Sequence, residues 1–160
     1  ELNRAERYKR PLSLICFDLD NLKHCNDNYG HLEGDRVLRL VGDTLRSALR
    51  QSDSCFRYGG DEFMVLLPEA NLRKAFLVAE KVRDMFAVRS SCSVKVKDPQ
   101  KYSLSIGIAQ ASKGEDAESF VKRADLAMYE AKRDGGDQIR SARRNIENKR
   151  DVKLIRRSLA

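Results

Sequence analysis

Arg57-Tyr58-Gly59-Gly60-Asp61-Glu62-Phe63 joins two strand-like runs, Cys55-Phe56-Arg57-Tyr58 and Phe63-Met64-Val65-Leu66-Leu67. A Gly-Gly pair between such runs predicts a tight hairpin turn, because both positions take φ > 0 without a Cβ clash. The adjacent carboxylates Asp61 and Glu62 stand at the mouth of an apolar strand. Charge there is costly unless it is paired or bound to a cation, so the hairpin predicts a metal and phosphate site.

Outward from the hairpin, the chain alternates strand and helix signals. Leu2 to Arg10 is polar and helix-compatible, and ends at Pro11. Leu12 to Phe17 reads as a buried strand running into Asp18-Leu19-Asp20, and Asn21 to Tyr29 as a short helix stopped by Gly30. Val37, Leu38, Val41, Leu45 and Leu49 recur at helical spacing within Leu32 to Leu49. Pro68 closes the second hairpin strand. Leu72 to Val88 is a second amphipathic helix, with Ala75, Phe76, Ala79, Val82, Met85 and Phe86 on one side. Ser91 to Val96 is a candidate edge strand. Tyr102 to Gln110 is a strand in which Leu104, Ile106 and Ile108 alternate with small residues. Glu118 to Arg133 is a third amphipathic helix, stopped by Gly135-Gly136. This order predicts an α/β (α+β) fold: a central sheet containing an antiparallel hairpin, covered by helices on one or both faces.

Composition sets outer bounds. With 160 residues and 41% hydrophobic content, the chain suits one globular domain with a substantial core. It holds no apolar run of the roughly 18 residues that a membrane span needs, and no leader pattern opens it. The cysteines Cys16, Cys25, Cys55 and Cys92 show no CxxC spacing and read as reduced thiols serving as small core residues. Reduced thiols imply a cytoplasmic compartment. The net charge is +7, and the stretch from Ile139 to Ala160 supplies +6 of it, which argues against a nucleic-acid-binding face on the body of the domain. That stretch, 139–160, reads as a basic C-terminal helix or linker.

Asp18 and Asp20 lie at the carboxyl end of the first strand, where α/β sheets tend to hold ligands. If this strand neighbours the hairpin, Asp18 converges with Asp61 and Glu62, as in sites where hard cations take oxygen ligands and activate a hydroxyl. For Asp20, N-capping of the following helix is an equal alternative.

Together, "FDLDNLKHCNDNYGHLEGDRVL" (17–38), "RYGGDEF", "LSIGIA" and "ADLAMYEAKRDG" resemble the GGDEF family, the diguanylate cyclases, in order and spacing over most of the chain. The resemblance assigns 1–138 to a GGDEF domain and implies a fold like the adenylyl cyclase core and the polymerase palm. The family's usual opening Asp-x-Leu-Thr-Gly-Leu-x-Asn-Arg segment is missing from this sequence. The implied activity is condensation of two GTP into cyclic di-GMP with release of pyrophosphate, across a homodimer and under an upstream sensor domain. Asp18, the backbone carbonyl of Leu19, Asp61 and Glu62 would hold Mg²⁺, with Mn²⁺ as an alternative. Asp61 would help deprotonate the attacking hydroxyl, with Glu62 and Asp18 completing the catalytic set.

Asn26 and Asp35 would read guanine, Gly59 and Gly60 would admit the nucleotide, and Lys23 and Lys132 would meet its phosphates. Arg50 and Asp53 match the family's RxxD product-inhibition site. One departure stands out: Gly136 occupies the place of an arginine that usually contacts the terminal phosphates, and Asp137 follows it. This implies weakened GTP binding. It keeps open an alternative reading, a catalytically weak domain that binds cyclic di-GMP or GTP or serves dimerisation.

Overall fold

The computed structural model describes residues 1–93 and 102–142. Its centre is β1 (Leu12–Leu19), whose every residue is buried because both faces of the sheet are covered. Successive side chains of a strand point to opposite faces. Ile15, Phe17 and Leu19 therefore enter one core with Val37, Val41 and Leu45 of α3 (His31–Ala48) and Ala75, Ala79, Val82 and Phe86 of α4 (Leu72–Ser93). Leu12, Leu14 and Cys16 enter the other, against Phe120, Ala124 and Met128 of α5 (Ala117–Arg133). Full burial of a side chain such as Phe17 contributes roughly 2–3 kcal/mol.

The other strands are β2 (Ser54–Arg57), β3 (Glu62–Pro68), β4 (Leu104–Gln110) and β5 (Ile139–Ser141). They form one sheet in the order β2-β3-β1-β4-β5, antiparallel except for the β4–β5 pair. Two short helices, α1 (Leu2–Tyr8) and α2 (Leu22–Tyr29), flank β1 in the chain. This is the expected helix-covered sheet with a hairpin inside it.

Gly107 shows how closely α5 lies on β4. A Cβ there would stand 2.1 Å from the Ala124 carbonyl oxygen and 2.2 Å from the Met128 nitrogen. The start of α5 is capped by Asp116, which accepts hydrogen bonds from the Ser119 amide and hydroxyl, both at 2.8 Å. Beside it, Arg123 forks onto Glu115 and donates to the Gln110 carbonyl at 2.8 Å, tying the helix to the end of β4.

Four local expectations need correction. Ser91 to Ser93 end α4 instead of starting a strand, because the Ser90 and Ser91 hydroxyls satisfy the Ala87 carbonyl within the helix; 94–96 lie outside the described residues. Ile139–Ser141 is a strand, not part of a helical or linking tail: the Ile106 amide donates to the Gln138 carbonyl and the Ala142 amide to that of Ile108. Residues 143–160 lie outside the described residues. Cys55 is exposed on the edge strand β2 while Cys16 and Cys25 are buried; among the described residues no disulfide forms. Finally, Gly59 and Gly60 do not adopt positive φ. The hairpin closes through loop 58–61, with the Tyr58 and Gly59 amides both donating to the Glu62 carbonyl.

Candidate active site

The register of the sheet builds the site. Asp18 lies opposite Glu62 on β3 and opposite Ser105 on β4, and the Leu19 amide donates to the Asp61 carbonyl at 3.1 Å. Asp18, Asp61 and Glu62 thus meet at one end of the sheet, as adjacency of β1 and the hairpin predicts. Leu19 has its side chain in the core, so only its backbone can serve the site.

Arg57 braces the loop: its Nε donates to the Gly59 carbonyl at 3.3 Å and one terminal nitrogen to that of Gly60 at 2.6 Å. Gly59 lies close to the Glu62 side chain: a Cβ there would stand 2.7 Å from Oε2, at the flexible end of that side chain. Gly60 faces open space.

The electrostatics centre on Asp18, which is 5% exposed. Burial pushes its carboxyl up to about 6; Lys132 opposes the shift, and the charges of Asp61 and Asp20 add to it. Lys132 Nζ donates to Asp18 Oδ1 at 2.6 Å. For Lys132 itself burial works downward, yet the bond and charge of Asp18 outweigh it and hold the ammonium above its ordinary range. The convergence of carboxylates was expected to demand a metal. Here a lysine already supplies a compensating charge.

Among the described residues no three Asp, Glu, His or Cys side chains converge tightly enough to hold an ion. The donor set nevertheless fits a hard cation. It offers only oxygen: the carboxylates of Asp18, Asp61 and Glu62 and the backbone carbonyl of Leu19.

The other expected residues fall into two groups. α2 follows β1 after Asp20 and Asn21, which places Lys23, exposed, and Asn26 beyond the Asp18 end of β1. Asn26 Oδ1 lies against Gly34, where a Cβ would be only 2.0 Å away, and the exposed Asp35 is the next residue. The two candidate guanine readers are therefore neighbours across the α2–α3 seam.

Arg50 and Asp53 lie elsewhere, in the turn between α3 and β2. The Arg50 amide donates to Asp53 Oδ2 at 2.9 Å and the Asp53 amide to the Arg50 carbonyl at 3.1 Å. Arg50 borders a cavity of about 370 Å³ with Arg4, Arg10, Leu12 and Pro68, at the sheet end away from Asp18.

Residues 1–138 match the family described as "Diguanylate cyclase, GGDEF domain". The chain belongs to the GGDEF family. It is 38% identical over 143 residues to diguanylate cyclase DgcP of Pseudomonas aeruginosa, covering 89% of this chain and 21% of that protein. The active GGEEF domain of a diguanylate cyclase from Vibrio cholerae superposes with a TM-score of 0.81 at 33% identity, covering 89% and 90% of the two chains. The GGDEF domain of DgcB from Caulobacter crescentus, solved in complex with c-di-GMP, gives 0.79 at 29% identity, covering 87% and 82%. The GGDEF chain spans about a fifth of the length of DgcP. Among its described residues no helix is long and apolar enough to cross a membrane.

Three features of this GGDEF domain escaped the sequence reading. Asp20 is not the N-cap of α2, a position held by Asn21 in the left-handed region at φ 64°. Instead Asp20 accepts hydrogen bonds from Ser103 and Ser105 at the start of β4. The brace from Arg57 and the Lys132–Asp18 pair were also unforeseen. Only one signal hinted at any of this: a serine at 105 within the apolar run Leu104–Ile106.

Proposed function

We propose that this GGDEF domain is a diguanylate cyclase that condenses two GTP into cyclic di-GMP across a homodimer, with Mg²⁺ or Mn²⁺ as cofactor. The observation that carries the reading is the register: Asp18 opposite Glu62, with Asp61 beside Leu19. Asp18, Asp61, Glu62 and the Leu19 carbonyl would hold the cation. When bound, the cation supplies charge stabilisation at the α-phosphate and acidifies the attacking hydroxyl.

The chain's own groups do the rest. Asn26 and Asp35 orient guanine, the Asp carboxylate accepting from N1-H and the 2-amino group. Lys23 and Lys132 neutralise phosphate oxygens; Lys132, 43% exposed, can turn from Asp18 to the nucleotide. Asp61 accepts the proton of the 3′-hydroxyl. The 3′-oxygen bonds to the α-phosphorus of the opposing nucleotide as the bond to the β-phosphate bridging oxygen breaks, and pyrophosphate leaves. A second, symmetric transfer closes the ring. Pre-positioning and fixed charge provide most of the acceleration.

Product feedback is assigned to Arg50 and Asp53. Their turn is closed by Asp53, and the exposed Arg50 guanidinium can fork onto a phosphate or a guanine edge. A sensor domain upstream of the cyclase is proposed as the source of control, in the cytoplasm.

Incubating the chain with GTP and Mg²⁺ and quantifying cyclic di-GMP tests the reading. Product that disappears in Asp61→Ala is expected; a folded dimer making none would overturn it. Gly136 favours a second reading, a binding module with little turnover, because it offers no guanidinium to the triphosphate. Nucleotide binding without product would select that reading.

A further inference from the structure

We propose that Asp20 is a positioning residue: it clamps the turn after α5 and so holds Lys132 over the site, an inference that rests on Lys132 serving the proposed cyclase reaction. Asp18 is the last but one residue of β1 and Asp20 the first residue past its end, in the turn before α2. Asp18 meets Lys132, and Asp20 meets the turn that ends the same helix. The Asp20 carboxylate is 6% exposed and its oxygens are engaged from two directions. Ser105 Oγ donates to Oδ1 at 2.7 Å; Ser103 Oγ donates to Oδ2 at 2.6 Å and the Asp137 amide to the same oxygen at 3.0 Å. The Asp20 amide in turn donates to the Ser103 carbonyl at 3.0 Å. One side chain thereby joins the end of β1, the start of β4 and the α5 exit turn.

That turn is continuous with the last turn of α5. The Gly136 amide donates to the Ala131 carbonyl at 3.1 Å and the Gly135 amide to the Lys132 carbonyl at 3.3 Å. Displacement of the turn therefore moves Lys132. Gly136 itself has φ +74°, and a Cβ there would stand 3.0 Å from Asp20 Cγ. A side chain at 136 is strained and pressed on the clamp, so the glycine that replaces the usual arginine is what seats the turn on Asp20.

A clamp needs only hydrogen-bond acceptors, which an amide oxygen supplies, whereas a role that depends on negative charge is lost when the carboxylate becomes an amide. Asn at 20 keeps one carbonyl oxygen for Ser103 and Asp137 and can turn its amide toward Ser105 Oγ, which is able to accept. Asp20→Asn is expected to retain KM and kcat near wild type. Asp20→Ala is expected to raise KM for GTP roughly 10- to 100-fold, with a smaller change in kcat. Because the effect passes through Lys132, Asp20→Ala with Lys132→Ala together should bind GTP no worse than Lys132→Ala alone. Ser103→Ala, which withdraws a single donor, gives the same signature in weaker form and stands in if Asp20→Ala does not fold.

Equal damage from Asp20→Asn and Asp20→Ala would show a charge role and overturn the proposal, as would additive losses in the double variant. If the wild type makes no cyclic di-GMP, the cyclase reading fails by itself and amide hydrogen exchange decides the clamp. Faster exchange at Gly136 and Asp137 in Asp20→Ala, with Ser119 unchanged, supports it; unaltered exchange at Asp137 overturns it.

Discussion

Lys132 Nζ sits 2.6 Å from Asp18 Oδ1, linking the last turn of α5 to the carboxyl end of β1 across 114 positions of chain. The contact sets the resting state of the site. An acidic group that would otherwise be buried among carboxylates is held by a lysine whose side chain is still 43% exposed.

Lys132→Ala should therefore act twice. It leaves Asp18, 7% exposed at its side chain, without its cation. Loss of one partner of a fully buried pair costs about 3–5 kcal/mol. The half-exposed lysine is screened by water, so roughly 1–2 kcal/mol is expected here. Urea unfolding at pH 8 without metal measures this, and cyclic di-GMP synthesis by the same variant should fall as well.

Asp61→Ala and Glu62→Ala should separate catalysis from folding. Both side chains are partly exposed at the loop, so melting temperature should move little. Cyclic di-GMP formation should drop roughly 100-fold or more, as expected when groups poised at the reacting centre are lost. A variant that retains near-normal turnover would remove that residue from the mechanism.

Gly107→Ala probes how α5 is held. The added carbon would meet helix backbone at 2.1 Å, and backbone cannot swing aside as a flexible side chain can. Destabilisation of about 3 kcal/mol or more is expected, read as a lower urea midpoint together with loss of soluble yield.

The α5 cap gives a pH signature. Hydrogen bonds from the Ser119 amide and hydroxyl hold the Asp116 carboxyl below its ordinary range. The folded pKa is depressed, so the stabilisation is complete above the unfolded value of about 3.9 and is lost as pH falls through the lower folded value. The melting-temperature gap between wild type and Asp116→Ala should be constant from neutral pH down to about pH 5, then narrow below about pH 4. A gap that widens on acidification would contradict the cap.

Arg50→Ala should weaken cyclic di-GMP binding roughly tenfold or more, the scale of a lost charge-assisted contact. It should leave the initial rate without added product unchanged, since Arg50 stands at the far end of the sheet. Calorimetry with cyclic di-GMP, paired with rates at rising product, checks both halves.

Much of the architecture was legible because it rests on local pattern. Helical spacing of Val37, Val41 and Leu45 placed α3, and the apolar run from Leu12 placed β1. Asp18, Asp61 and Glu62 were legible as a set because a carboxylate ending a strand is conspicuous wherever that strand pairs. What the pattern misjudged was short or conditional. β5 is a brief strand whose pairing partner lies on β4, and serines at the end of α4 imitate a strand until their hydroxyls are seen satisfying the Ala87 carbonyl.

Gly59-Gly60 shows the limit most clearly. Glycine permits positive and negative φ alike, so its presence marks a special backbone position without saying which. The Gly-Gly signal predicts positive φ, yet neither residue adopts it; Gly59 lies within reach of the flexible Glu62 carboxylate and Gly60 faces open space. Gly136 is the reverse case, read as a missing guanidinium and found at φ +74° against Asp20.

By itself, then, the amino-acid order determined the main helices and strands up to α5, the family and the acidic residues at the end of β1 and on the hairpin, but not the end of α4 or β5. Each is written in neighbouring residues, through periodicity or motif. Only the tertiary structure decided that Lys132 neutralises Asp18, that Asp20 gathers Ser103, Ser105 and Asp137, and that Arg57 braces the hairpin loop. Most of those bonds join residues 83 to 117 positions apart. Such partners carry no mutual signal along the chain, and packing of the sheet against α5 is what brings them within reach.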